Sequence, residues 1–270
     1  MIVDLIEIMN RGYDAKPAQE WPLWDTGLPL DRTDCVTASE IGTCARMVKF
    51  NKEAMVAGGY RPEVGTKNKS SDGWGFFERG HTMEEWAVQM IHAGLPPVEI
   101  SGIDLIHTGK NQVSFKDGHQ SGTPDGVYVM EDAGAIGILE IKSIDPRTNV
   151  KRNIPKMAHK DQVMQNLDLV SQATGLDPIG GDIIYIDASN YKQRYPFHFP
   201  WDVEHASRLE TRASMIMNAA TPADVKPEGL FNGGCQYCDF GAQCSAIVSQ
   251  QRNEKGIDNA LSNASSKLFR

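Results

Sequence analysis

The sequence predicts an α/β fold of the α+β type, in which helices flank a central mixed β-sheet. Two observations support this prediction. Segments with helical periodicity lie towards both ends of the chain, and segments rich in β-forming residues lie between them. Their order is helix, three strands, helix, two strands and helix, which is typical of a mixed sheet covered by helices. The chain has 270 residues, 40% hydrophobic and 23% charged, so it can bury one large core.

The first third of the chain is predicted to be helical, interrupted by one irregular arm and one loop. The arm is rich in Pro and Trp, and the loop is rich in Gly, Ser and Lys, so regular structure is not expected in either. In chain order, the predicted elements are a short helix at 1–10, the arm at 16–29, a helix at 37–50, a mobile loop at 61–75 and a helix at 76–93.

The remaining part predicts strands separated by Gly and Asp turns, with helices after them. In chain order, these are strands at 112–115, 126–130 and 136–142, a helix at 157–173, a hairpin of strands at 182–187 and 193–199, a helix at 202–219 and a last helix near 243–262. We therefore expect an N-terminal arm over residues 1–36, a main domain over 37–245 and a C-terminal helix or tail over 246–270.

Composition restricts the compartment and the partners. No apolar stretch reaches the roughly 18 residues that span a bilayer, and the acidic N-terminus lacks the basic region of a signal peptide. We therefore expect a cytoplasmic protein with no membrane partner, in which five cysteines favour metal over disulfides. The net charge of −8 weighs against nucleic-acid binding over the whole surface. Six basic residues between Lys142 and Lys160 could nevertheless line one groove, or form an ordinary solvated surface.

Three cysteines close to the C-terminus form a possible metal site. Cys235, Cys238 and Cys244 lie within ten residues, and thiolates at such spacing are typical ligands of zinc or of an iron–sulfur cluster. A fourth thiolate would have to come from Cys44 or Cys35, far upstream. Such a site would join the beginning of the main domain to its end.

A second candidate site lies on the predicted strand Gly137–Lys142. Alternation places Glu140 and Lys142 on one face, about 7 Å apart. Asp125 lies in a turn before the preceding strand and can approach Glu140 if the two strands pair. Converging carboxylates repel unless a cation lies between them, and oxygen ligands favour Mg²⁺ or Mn²⁺.

Lys142 could orient or deprotonate water beside such a cation, so the pattern predicts metal-assisted hydrolysis of a phosphodiester. A Glu-x-Lys triplet on a strand is by itself usually structural. The apolar run around it and the upstream Asp125 favour the functional interpretation.

These residues resemble the PD-(D/E)xK nuclease superfamily, in particular its RecB-like branch. Asp125, Glu140 and Lys142 match the signature, Gly80 to Glu84 resembles the upstream helix motif with its metal-binding His or Glu, and Gln162 resembles the glutamine of the following helix. The resemblance implies a restriction-endonuclease-like core.

In such a core, one or two Mg²⁺ or Mn²⁺ ions would be held by Glu84, Asp125, Glu140 and the Ile141 carbonyl. Lys142 would activate water, and Gln162 would orient Lys142 or the scissile phosphate. Glu84 competes with His81 for the helix position. Helical spacing favours Glu84, because it lies one turn after Gly80 on the same face.

The cysteines resemble the split iron–sulfur site of CRISPR-associated and phage-encoded RecB-like exonucleases and of AddB-type nucleases. The resemblance implies a 4Fe-4S cluster on Cys44, Cys235, Cys238 and Cys244, with zinc as the alternative and Cys35 as an ordinary buried thiol. Arg46 could then offset the charge of the cluster. One departure is Asn166, which stands where the family usually has an aromatic residue.

The function implied is that of a metal-dependent DNA exonuclease acting on single strands or free ends, in recombination, repair or phage DNA metabolism. Its partners would be DNA and recombination or replication proteins. Two alternatives are open: an endonuclease or CRISPR spacer-processing nuclease with the same chemistry, and a non-catalytic iron–sulfur scaffold that binds a partner. The presence of Asp125, Glu140 and Lys142 together argues against the scaffold.

Overall fold

A computed structural model describes residues 21–58, 71–144, 153–229, 235 and 238–253 of the chain. It confirms the mixed α/β architecture with flanking helices. The described strands form two mixed sheets, one with five strands and one with three, rather than the single sheet expected from the sequence. No helix among these residues is long and apolar enough to cross a membrane.

Helices lie at both ends of the described chain and between the strands. They are α1 (Ala38–Ile41), α2 (Ala45–Val56), α3 (Ser71–Gly94), α4 (Val98–Ser101), α5 (Met157–Thr174), α6 (Val203–Asn218) and α7 (241–253). The strands are β1 (Val36–Thr37), β2 (Ile103–Ile106), β3 (Phe115–Asp117), β4 (Gln120–Gly122), β5 (Gly126–Met130), β6 (Ala135–Ile144), β7 (Asp177–Asp187) and β8 (Asn190–Pro200).

Strand β6 is central to the larger sheet, whose order is β2-β5-β6-β7-β8. It pairs with β7 in parallel and with β5 antiparallel. Its alternate residues face opposite helices: Leu139 and Ile141 pack with residues of α3, and Ile138 packs with residues of α5. The predicted alternation along this strand is therefore confirmed. It places Glu140 and Lys142 on the same face of β6 as Ile138, which is the face that packs on α5.

The smaller sheet joins the arm to the main domain. Its order is β1-β4-β3, with β1 parallel to β4 and β4 antiparallel to β3. Both β1 and β4 lie outside the strands predicted from the sequence, because strands of two or three residues are too short for a period-two pattern. Strand β3 starts at Phe115, so the strand expected at 112–115 is displaced towards the C-terminus.

The helix predicted at 37–50 is two helices, because the chain turns at Gly42 and Thr43. Thr43 Oγ1 donates to the Glu40 carbonyl at 2.6 Å and ends α1. A Cβ on Gly42 would lie 2.4 Å from the Ala158 Cα, so only glycine allows this approach to α5. Cys44 is consequently the N-cap of α2 rather than a residue within a helix.

Helix α3 begins at Ser71, so residues 71–75, predicted as loop, are helical. The helix predicted at 157–173 and the hairpin after it are confirmed, with β7 and β8 longer than expected. The helix expected at 1–10, the rest of the mobile loop at 61–70 and residues 145–152 of the basic stretch lie outside the described residues.

Candidate active site

Glu140 lies at the centre of the candidate site and is completely buried, at 0% exposure. Its Oε1 atom forms an ion pair with Lys142 Nζ and accepts a hydrogen bond from Gln162 Nε2 at 2.7 Å. Gln162 comes from α5, which packs on this face of β6. Gln162 therefore contacts Glu140, whereas the resemblance implied that it orients Lys142 or the scissile phosphate.

Asp125 approaches β6 from the turn before β5. The register pairs Gly126 with Leu139, and the Asp125 Oδ2 atom accepts the Ile141 N–H at 2.7 Å. Because the N–H and C=O of one strand residue point to the same edge, the Ile141 carbonyl lies on the edge that faces Asp125. The pairing of strands thus brings Asp125 close to Glu140, as the sequence predicted.

Glu84 reaches the site from α3, one turn after Gly80. Its Oε1 atom accepts a hydrogen bond from Gln112 Nε2 at 2.7 Å, and Gln112 is itself buried. No sequence pattern pointed to Gln112, since a single glutamine near a short strand is common. His81 lines the same cavity and partly offsets the rise that burial causes in the pKa of Asp125, whereas the charges of both Asp125 and Glu140 act on Glu84.

Burial raises the pKa of all three carboxyl groups, and neighbouring negative charge raises it further for Glu84 and Glu140. Burial raises the pKa of Glu84, and the charges of Asp125 and Glu140 raise it further. Burial and the charge of Asp125 do the same to Glu140. Burial alone would lower the pKa of Lys142, but the three carboxylates outweigh it and raise that pKa. The protein's own carboxylates therefore hold Lys142 in its charged form.

The donor set suits a hard divalent cation. Among the described residues, the buried Glu140 Oε2 atom has no hydrogen-bond partner, and mutual repulsion of the carboxylates is the kind that a cation relieves. In the described part of the chain, however, no three His, Cys, Asp or Glu side chains are already arranged as a metal site. Instead, Asp125 is held by the Ile141 N–H. Glu140 is held by the Lys142 ammonium group and the Gln162 amide, and Glu84 by the Gln112 amide.

A cavity of about 470 Å³ opens onto this cluster. Its lining includes Glu84, Asp125 and Gln162, together with Gly122 and Thr123. The N-terminal arm contributes Trp21, Leu30 and Arg32 to the lining, and α1 contributes to it as well. Lys110 also lines the cavity.

A second cavity, of about 880 Å³, is lined by Cys44, Cys235, Cys238 and Cys244. We call it the cysteine pocket. The charges of the other three cysteines raise the pKa of Cys238, after burial as the main cause, which shows that the four thiols lie close together. Arg46 is buried beside them, with its Nη1 atom 3.6 Å from Cys244 Sγ.

Cys44 lies in surroundings that favour a thiolate. Burial opposes ionisation, yet backbone N–H groups, the Glu228 N–H at 3.3 Å among them, lower the pKa of Cys44 overall. Cys35 is different: burial raises its pKa, and its Sγ donates to Ser121 Oγ at 3.2 Å. The structure thus places Cys44 and not Cys35 in the cysteine pocket.

No protein-family model and no curated protein matches the chain. Among solved structures, it is similar to an alkaline exonuclease (LHK-Exo) from Laribacter hongkongensis, at 18% identity and a TM-score of 0.46, over 69% of this chain and 87% of that one. It is also similar to a phage related exonuclease from Haemophilus somnus 129PT, at 12% identity and a TM-score of 0.46, over 68% and 92%. A third structure, SSO0001, has 17% identity and a TM-score of 0.43, over 88% and 93%. Similarity at this level does not assign the chain to a family.

Proposed function

We propose that the chain is a metal-dependent DNA exonuclease that hydrolyses phosphodiester bonds on single strands or at DNA ends. The observation that carries the proposal is the convergence of Glu84, Asp125 and Glu140 beside Lys142, at the wall of an open cavity. Three buried carboxylates whose pKa values are all raised, with a lysine among them, are more useful as a cation site than as a structural core.

Mg²⁺ or Mn²⁺, when bound by Glu84, Asp125, Glu140 and the Ile141 carbonyl, would supply positive charge to polarise the phosphate and acidify a water molecule. Glu140 is kept in place by Gln162, so one of its oxygen atoms is fixed and the other is available. Asp125 is kept in place by the Ile141 N–H.

Lys142 contributes as a cation in this proposal. In the metal-free protein the carboxylates raise its pKa, which favours the charged form. As a cation it would orient the attacking water and offset the negative charge that develops on the phosphate. Of the two roles that the sequence suggested, orienting water and deprotonating it, this is the first.

We also propose that the cysteine pocket holds a 4Fe-4S cluster, in preference to zinc. The support is the lowered pKa of Cys44, the closeness of the four thiols and the Arg46 guanidinium beside Cys244. The thiols are not arranged for a metal beforehand, so bound iron would draw them together. The cluster would be structural, since it joins α2 to the C-terminal segment.

The preference for DNA ends over internal sites gives the test of the proposal. A closed circular single strand and its linear form are incubated with the protein and Mg²⁺ or Mn²⁺. An exonuclease degrades the linear form and leaves the circle intact for far longer. Equal rates on both would establish the endonuclease alternative, and no cleavage of either would refute nuclease function.

A further inference from the structure

We propose that the N-terminal arm is the base-binding wall of the catalytic cavity, with Trp21 stacking on the base of the nucleotide whose phosphate is cleaved. The substrate in this site is therefore a nucleotide unpaired from any duplex. The inference rests on the proposed nuclease function and adds to it the part of the chain that holds the base.

The first side of the turn in the arm is fixed to Ser114, and the second side pairs with the first. Pro22 bridges to Pro29 across the turn, and Leu23 bridges to Ser114. The backbone bonds are short: the Ser114 N–H donates to the Pro22 carbonyl at 2.8 Å, and the Trp24 N–H donates to the Ser114 carbonyl at 2.9 Å. Residue 21 directly precedes these contacts, so its position at the cavity is set by the smaller sheet.

Aromatic stacking strengthens this attachment from outside the cavity. The Trp24 ring lies 5.8 Å from Phe115, stacked, and 4.7 Å from His107, edge-on. Trp24 thus anchors the arm to the protein, whereas Trp21 lines the cavity. The two tryptophans of the arm have separate roles.

The lining of the cavity combines two kinds of chemistry that match one nucleotide. Glu84 and Asp125 supply carboxylates where a cation and a phosphate would bind, and Trp21 and Leu30 supply an aromatic and aliphatic surface. Bases stack on such surfaces without sequence preference, because every base has a π-face. Lys110 also lines the cavity and suits a neighbouring phosphate.

The size of the cavity sets the pairing state of the base. About 470 Å³ is in the range of pockets that enclose one small molecule. A base that enters it to reach Trp21 must leave its stack and its partner, as in enzymes that act on extruded bases. Single strands and frayed ends make this step least costly.

The test is a coupling experiment between the protein and the strand. Binding of a labelled single-stranded oligonucleotide is measured with Ca²⁺ in place of Mg²⁺, for the full chain and for Trp21→Leu, using strands with one abasic position at successive sites from the end. We expect Trp21→Leu to bind the intact strand about 5- to 150-fold more weakly. An abasic position at the base that contacts Trp21 should weaken binding to the unaltered protein by a similar factor. The same abasic position should not weaken binding to Trp21→Leu any further.

Two further variants separate stacking from folding. Trp21→Phe keeps a π-face and should retain most of the affinity. Leu28→Ala changes a residue of the same arm that is 63% exposed and should bind as the unaltered protein does. The inference is wrong if every abasic position lowers the affinity of both proteins by the same factor, or if Trp21→Leu binds the intact strand as tightly as the unaltered protein does. Failure of all variants and of the unaltered protein to cleave linear DNA with Mg²⁺ would instead refute the nuclease proposal.

Discussion

Asn166 constrains the backbone at Gly122, a residue that lines the candidate active-site cavity. It is completely buried, and among the described residues neither of its side-chain amide atoms has a hydrogen-bond partner. A Cβ on Gly122 would lie 1.9 Å from Asn166 Oδ1. Gly122 lines the cavity, so the absence of a side chain there is what lets Asn166 fit beneath it.

We expect Gly122→Ala to destabilise the protein by about 1–3 kcal/mol, because the added methyl group meets a buried side chain that cannot retreat. The double variant Gly122→Ala with Asn166→Ala should recover much of this loss, since the obstructing amide is gone. Free energies of unfolding from urea titrations measure both effects.

Gly80→Ala is the matched control for that experiment. A Cβ at Gly80 meets nothing within 4 Å, so alanine should stabilise α3 by up to about 1 kcal/mol. If Gly122→Ala is as stable as the unaltered protein, or the double variant gains nothing, the packing described for Asn166 is incorrect.

His159 is the second residue with an effect on the fold, and its effect depends on protonation. Its Nδ1 atom lies 2.8 Å from Tyr185 Oη, and that oxygen also accepts the Lys156 N–H at 3.1 Å. Tyr185 consequently donates to an unprotonated Nδ1. Burial, followed by the charges of Lys142 and Lys156, lowers the pKa of His159 to about 3.

Because this pKa is lower in the folded state than the ordinary value of 6.5, the neutral ring contributes stability above pH 6.5. That stability is lost as the pH falls from 6.5 towards 3, where the unfolded chain takes up the proton first. Between pH 7 and pH 5 the loss is at most about 2 kcal/mol. His159→Gln should lose correspondingly less stability over this interval.

Urea unfolding at pH 7 and pH 5 provides the comparison. The carboxylates of the catalytic cluster titrate in both proteins, so the difference between the two pH dependences belongs to His159. Identical pH dependences would show that the ring is not held neutral.

At the scale of elements, the turn between α1 and α2 connects the two candidate sites. Helix α1 lines the catalytic cavity, and Cys44 at the start of α2 lines the cysteine pocket. Arg212 fixes the turn by donating to the Ile41 carbonyl at 2.9 Å and to the Thr43 carbonyl at 2.7 Å. It also binds both carboxylate oxygens of Glu228.

Glu228 continues this connection to the thiol. Its Oε2 atom accepts the Ala45 N–H at 3.0 Å, and its own N–H donates to Cys44 Sγ. Arg212→Lys cannot make the two-pronged contact or reach both carbonyls. We expect it to lose about 1–3 kcal/mol of stability and to bind less iron when iron and sulfide are supplied.

Arg208→Lys provides the control. Arg208 lies on the same helix, but its side chain is 64% exposed and its ion pair with Glu204 is long, at 3.9 Å. Its stability should change by no more than about 0.5 kcal/mol. Thermal melting and iron content are measured for both variants. If Arg212→Lys has the same melting temperature and iron content as Arg208→Lys, the turn between α1 and α2 does not connect the two sites.

The sequence predicted long elements better than short ones. The alternation of Ile138, Leu139, Glu140 and Ile141 identified β6 because a ten-residue strand shows several periods. Strands β1 and β4 have only two and three residues, and their pairing depends on contacts with α5. Gln165 makes such contacts, donating to the Val36 carbonyl at 3.0 Å and to the Ser121 carbonyl at 2.9 Å, which no local pattern reveals.

At the scale of the whole molecule, residues far apart in sequence assemble both sites. The spacing of Asp125, Glu140 and Lys142 is local enough to be predicted from strand pairing. Gln112 and Trp21 could not be assigned from the sequence, because their places depend on how α3 and the arm fold against the smaller sheet. The roles of all these residues in catalysis stay predictions.

The cysteine pocket gives a prediction at this scale. Cys44→Ala should abolish the brown absorbance of a 4Fe-4S cluster and lower the melting temperature, because α2 and the C-terminal segment lose their common ligand. Cys35→Ala should keep the colour, although the loss of a fully buried side chain costs on the order of 1 kcal/mol.

Iron analysis and visible absorbance of the purified proteins distinguish the two variants. An iron-replete Cys44→Ala protein would exclude Cys44 as a ligand. Stoichiometric zinc with no iron in the unaltered protein would favour the zinc alternative.

The most direct measurement of the central claim is single-strand DNA hydrolysis by the unaltered protein and by Glu140→Gln, with Mg²⁺, with Mn²⁺ and with EDTA. Burial, followed by the charge of Asp125, raises the pKa of Glu140, so glutamine should leave the melting temperature of the metal-free protein unchanged or raise it. We predict that the unaltered protein cleaves only with a divalent cation and that Glu140→Gln is at least about 100-fold slower. Cleavage that persists in EDTA, or a fully active Glu140→Gln protein, would contradict the account.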